Sequence, residues 1–273
     1  MNKKPEITWS ELSALPDVQK GCEHLHVALE QLRTHGDLVR VLSRYVHFNA
    51  PFGAGVAHLA SAVAQRPDLF GDPNTIEHYL SDRSYEVAAP LFAAAIDEFG
   101  GESAKYQPHR TLAQNTVQAV GKFFGYNGAS FKSLIDPNAE TIIAMEGAKS
   151  GYGIGQVIDE NALFQNMGFH IGSEQLAGEE FRIIDTFLRR EHPALVSHME
   201  MVDPEISDVQ TYIWIALHTT VEDEHAELAF RAANLALRYY RGDQEPYEMR
   251  KQIVKGFVDF VKLQTEFLES IGK

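Results

Sequence analysis

The stretch VQTYIWIALHTTVEDEHAELAFRAANLALRYY, residues 209–240, runs for about thirty residues without proline or glycine. Its apolar positions recur at helical steps, so it predicts one long helix. Within it, His218, Glu222 and His225 fall at i, i+4 and i+7 and share one face over about two turns. Leu217, Val221 and Leu228, with Trp214 nearby, form an apolar seam beside that face and would turn it inward. Asp223, Glu224 and Glu227 fall on the outer side, where water solvates them. Two imidazoles and a carboxylate on one rigid stripe are a ligand set for a metal ion. The competing reading is a polar helix face with two incidental histidines. On this motif alone the two stand level, although an inward His/Glu/His face is costly unless something binds it.

The rest of the chain is written in the same period. EHLHVALEQLRTHGDLVRVLSRYVHF, YEVAAPLFAAAIDEF and EPYEMRKQIVKGFVDFVKLQTEFLESI all place apolar residues three and four apart. Strand-like alternation is scarce. Short punctuation separates the helical runs: NAPFGAG, RPDLFGDPN, EFGGES, GYNGAS, LIDPNAE, SGYGIG, EHPAL, MVDPE and RGDQEP. The expectation is one all-α domain over residues 1–273, with eight to ten helices.

Composition narrows the function. With 24 basic against 38 acidic residues the formal net charge is −14. That argues against nucleic acid, which needs clustered Lys and Arg, and against docking on anionic membranes. No apolar run reaches the roughly 20 residues that span a bilayer. MNKKPEITWSEL lacks an apolar core behind its lysines, so no secretory signal is read and a cytoplasmic location is expected. Cys22 is the sole cysteine. Any metal must therefore be held by His, Asp and Glu, which suit iron, manganese or zinc.

Partners for the 218–225 motif occur in two places. Glu174, in FHIGSEQLAGEEF, lies in a run whose Phe169, Leu176, Phe181 and Ile184 point to the core. Glu179 and Glu180 are expected to face water, and His170 to be a packed core histidine rather than a partner of Glu174. In AIDEFGGESAKYQPHRTL, Glu98 and Glu102 precede His109. Gly100 and Gly101 mark a cap or break, and Pro108 suits the start of a new helix. A carboxylate ending one helix and a histidine opening the next would then converge on the same metal.

Taken together, DEFGG…H at 97–109, GSEQL around Glu174, and HTTVEDEH resemble, in order, the haem-oxygenase-like di-iron oxidases and oxygenases. The resemblance covers about residues 80–236 and implies a seven-helix bundle with extra terminal helices. It implies metal ligation by Glu98 or Glu102 or both, His109, Glu174, His218, Glu222 and His225. The DEFGG context favours Glu98, while Glu102 has the cleaner seven-residue spacing to His109; if both bind, there is a seventh ligand. Glu222 stands where the family more often has Asp, a longer arm with the same charge. By resemblance the cofactors are two Fe(II) ions with O2 as co-substrate. The substrate is a small amino acid or amine, either N-oxygenated or fragmented at a C–C bond, in specialised-metabolite biosynthesis. Arg110 and Arg182 are candidates to meet a substrate carboxylate, although a solvated surface role is the favoured reading of both.

Three other readings compete. A ferritin-like di-iron bundle would use Glu23 and His26 as a second Glu-x-x-His pair, but in the wrong chain order. A non-metal thiaminase-like or quinone-biosynthesis-like protein would need a nucleophile, and Cys22 reads as a buried small hydrophobe. A haem protein would use His24, His26 or His47. SGYGIGQ has no strand before it and reads as a loop. The last helix would pack on the bundle or on a second copy, so a homodimer is among the expected assemblies.

Overall fold

The computed structural model describes residues 5–72, 82–101 and 107–273. Among these residues the regular structure is helical. In chain order the helices are α1 (Trp9–Leu12), α2 (Lys20–Glu30), α3 (His35–Asn49), α4 (Phe52–Ala64), α5 (Ser84–Glu98), α6 (His109–Phe123), α7 (Gly128–Ile135), α8 (Ala139–Gly151), α9 (Glu160–Glu191), α10 (Pro193–Met199), α11 (Ile213–His218), α12 (Glu222–Tyr239) and α13 (Pro246–Ser270). Among the described residues the only strand-type pairings are two isolated bridges, Phe70 with Tyr240 and Gly71 with Asp82. No described helix is long and apolar enough to cross a membrane.

There are more helices than the eight to ten expected, because three runs are divided differently. The first apolar run splits into α2 and α3 at Thr34, whose side chain accepts from the Asp37 amide in a capping box. NAPFGAG is not a loop throughout: α4 begins at Phe52 and contains both glycines. They are there for close approach, since a Cβ on Gly55 would lie 2.4 Å from the Tyr152 ring and one on Gly53 would lie 3.2 Å from Glu98. The third division falls in the 209–240 stretch, which is not one helix. It breaks between His218 and Glu222 because side chains take the carbonyls there. The Thr219 hydroxyl donates to Ala216 O at 2.8 Å and the Thr220 hydroxyl to Leu217 O at 3.0 Å. The His218 Nδ1 takes Trp214 O at 2.6 Å.

The centre of the bundle is α9, 32 residues and about 48 Å long. It packs along α13, and α12, α11, α4 and α2 close around it. Buried residues from the other helices join these in one core cluster. The α9–α13 crossing is close enough that Gly168 meets the Ile253 carbonyl and Gly256 meets the Gln165 carbonyl.

Glu180 does not face water as expected, whereas Glu179 does. Glu180 is only 3% exposed. The Tyr45 hydroxyl donates to its Oε2 at 2.6 Å, and the Gln264 amide donates to its Oε1. Burial without a cation pushes its pKa from an ordinary 4.5 up to about 7. The folded state thus holds a proton there that the unfolded chain has lost between pH 4.5 and 7. Stability falls as pH rises through that window. The full penalty, on the order of 3 kcal/mol, is present above it. In urea unfolding of metal-free protein, Glu180→Gln is expected to gain on wild type at pH 8 and to match it near pH 4. An equal difference at both pH values would count against the buried charge.

Candidate metal centre

Four of the six ligand candidates that the structure describes sit at helix ends, and the breaks in the chain put them there. Glu98 is the last residue of α5, where Gly100 (φ 109°) and Gly101 (φ 62°) turn the chain away. His109 is the first residue of α6, behind Pro108. His218 closes α11 and Glu222 opens α12. His225 follows within the first turns of α12, and Glu174 lies in mid α9.

These side chains form two groups. Glu98, His109 and His218 present ligand atoms all within 4.8 Å of one another, and so do Glu174, Glu222 and His225. Each group can hold a metal ion. The groups adjoin: His218 Nε2 lies 3.7 Å from Glu222 Oε1, and the His109 and His218 rings are 4.6 Å apart. All but the partly buried Glu98 are buried. Glu102, the alternative to Glu98, lies outside the described residues.

The donor chemistry fits a cation. Because a carbonyl only accepts, the contact to Trp214 O makes His218 Nδ1 the N–H and leaves the Nε2 lone pair free. Burial, then the neighbouring His109, hold the His218 pKa down to about 3, so the ring is neutral. His225 Nδ1 and Glu222 Oε2 are buried without a hydrogen-bond partner. His225 Nδ1 is 3.4 Å from Glu174 Oε2, too poorly aligned to be a hydrogen bond. Burial and the charge of Glu174 push the Glu222 carboxyl well up. Burial opposes charge on His225, yet the hydrogen bond to Asp97 and the charges of Glu174 and Glu222 raise it to about 11. Without a cation, then, the cluster keeps protons on a histidine and a carboxyl to offset its own negative charge. A divalent ion supplies that positive charge directly.

Two residues carry more at the site than the sequence pattern implies. Asp97 carried no role beyond opening the DEFGG pattern, yet its Oδ2 lies 3.0 Å from His225 Nε2 and 3.6 Å from His109 Nε2. Its position beside Glu98 in the last turn of α5 was the available signal. His170 is no mere packing residue. Its Nδ1 lies 3.2 Å from Glu174 Oε1 and 3.1 Å from the Tyr152 hydroxyl, which also contacts Ser173 Oγ at 2.7 Å. Spacing alone does not separate a core histidine from one that leans on a ligand.

A cavity of about 320 Å3 opens onto both groups and is walled by Phe52, Phe99, Phe181 and Trp214. Arg110 lies at its rim, with its guanidinium 3.3 Å from the Ala50 carbonyl. Arg182 is not a wall; it is exposed and pairs with Glu179. Glu23 and His26 are exposed on α2, away from both groups, which removes the second pair a ferritin-like site needs. His47 is engaged with the Ile135 carbonyl. Cys22 is buried and burial pushes its thiol up, as a small core hydrophobe should behave. No family model matches the chain, and no curated protein matches it in sequence.

Proposed function

We propose that this chain is a non-haem di-iron, O2-dependent oxidase or oxygenase on a haem-oxygenase-like bundle. Its substrate is a small amino-acid-like or amine molecule, either N-oxygenated or oxidatively fragmented, in specialised-metabolite biosynthesis. The observation that carries the reading is the pair of adjoining His/carboxylate groups facing one cavity, with buried ligand atoms left unpartnered. Three imidazoles and three carboxylates suit two divalent ions of the iron type.

When bound, two Fe(II) ions supply the electrons that activate O2. The chain's own residues prepare the place. Glu98, His109 and His218 would hold one ion, and Glu174, Glu222 and His225 the other. The Trp214 carbonyl fixes the His218 tautomer, His170 steadies Glu174, and Asp97 holds His225. The aromatic walls give the cavity an apolar lining. Arg110, exposed at the rim, would be the cation available to a substrate carboxylate.

The test is anaerobic Fe(II) titration of metal-free protein, followed by O2 uptake. Two irons per chain are expected, with uptake accelerated by some members of a panel of amino acids and amines. If no iron binds and His218→Ala changes nothing, the 218–225 stretch is a polar helix junction in a non-metal protein.

A further inference from the structure

Tyr45 is fully buried on α3. Its ring centroid lies 6.1 Å from that of Trp214, which lies 5.9 Å from the His218 imidazole. The three rings make a line from the candidate metal centre into the core. Phe181 packs on all three, at 5.5, 5.0 and 4.4 Å, and keeps the line dry. Electrons pass readily between aromatic groups in near contact.

The far end of the line is a proton acceptor. A phenol that loses an electron becomes a strong acid and sheds its proton at once, so oxidation inside a protein needs a base already in place. Glu180 Oε2 accepts from the Tyr45 hydroxyl at 2.6 Å; this carboxyl is ionised above about pH 7, and no ion pair to it is found among the described residues. A purely structural role does not call for this arrangement. Phe and Leu would fill the same volume without burying an ionisable carboxyl. The other buried tyrosine near the site, Tyr152, differs. Its hydroxyl contacts Ser173 and His170, and His170 already leans on the ligand Glu174.

Resting on the di-iron reading above, we propose that Tyr45 is a redox-active tyrosine. It gives one electron, through Trp214 and His218, to the O2-oxidised iron centre, and its phenolic proton to Glu180. The iron centre is reduced by one electron, and Tyr45 is left as a neutral phenoxyl radical. Glu180 passes from carboxylate to carboxylic acid. The O–H bond of Tyr45 breaks and an O–H bond forms on Glu180. The relay drains the oxidised centre when no substrate fills the cavity.

The experiment mixes iron-loaded protein with O2, without substrate, and freezes the mixture at intervals for electron paramagnetic resonance. Iron content and O2 uptake are measured on the same samples. A free-radical signal is expected that narrows with ring-deuterated tyrosine, is lost in Tyr45→Phe and in Glu180→Gln, and survives in Tyr152→Phe. Trp214→Phe should delay its appearance. A signal that persists in Tyr45→Phe, or that vanishes only in Tyr152→Phe, overturns the assignment. So does silence from wild type that has bound two irons and consumed O2, and in that case the di-iron reading stands. Failure to bind iron overturns both.

Discussion

Glu222→Ala is expected to cut Fe(II) uptake from two ions per chain to one or none, while Glu222→Asp keeps both. The carboxylate of Glu222 belongs to one group and lies against the other. One oxygen lies 3.7 Å from His218 Nε2 and the other 3.9 Å from His225 Nδ1. Losing an outer partner of a metal ligand typically weakens binding about 10- to 100-fold, so losing a ligand itself, at the junction of the two groups, should exceed that. The aspartate keeps the charge, and the start of α12 can take up the shorter arm. The readout is the equivalence point of an anaerobic titration, with helical circular dichroism as a check on folding. Full uptake of both ions by Glu222→Ala would remove Glu222 from the ligand set.

Gly168→Ala is expected to be, with Gly256→Ala, among the most damaging single-methyl changes in the bundle. A Cβ at Gly168 would lie 1.8 Å from the Ile253 carbonyl oxygen, and one at Gly256 would lie 1.8 Å from the Gln165 carbonyl oxygen. Each contact is with backbone on the facing helix, so no rotamer change relieves it. Relief requires α9 and α13 to separate. Overpacking usually costs about 1–3 kcal/mol, and a clash with rigid backbone at the main crossing should reach at least the upper end. Urea unfolding of the variant should show a lower midpoint at an unchanged slope. Because Glu174 lies six residues along α9 from Gly168, iron uptake should weaken as well. A variant as stable as wild type would mean that the crossing is looser than described.

Much of this architecture is legible in the residues themselves. The 3.6-residue period of the apolar positions marks α5, α9, α12 and α13, and glycine and proline mark most of the breaks. The ligand candidates on three separate stretches were found by type and spacing, and the fold brings Glu98, His109, Glu174, His218, Glu222 and His225 together. What escaped was set by contacts distant in sequence. Phe52–Ala64 is a helix despite two glycines because Tyr152 and Glu98 need the space beside it. The break after His218 depends on threonine hydroxyls taking carbonyls, which apolar periodicity does not register. Glu180 is buried because Tyr45 and Gln264 reach it from α3 and α13, and Asp97 matters because α12 delivers His225 to it.

The helices α3, α8 and α9 each begin on a side chain that caps the first turn, Thr34, Asn138 and Asp159. The two helices that begin at the site, α6 and α12, begin on Pro108 and Val221 and have no such cap. Their first turns are held instead by what His109 and Glu222 grip. An ion placed between them would tie four chain ends, those of α5, α6, α11 and α12, into a single knot. Loading the site would then also tighten the fold at this corner.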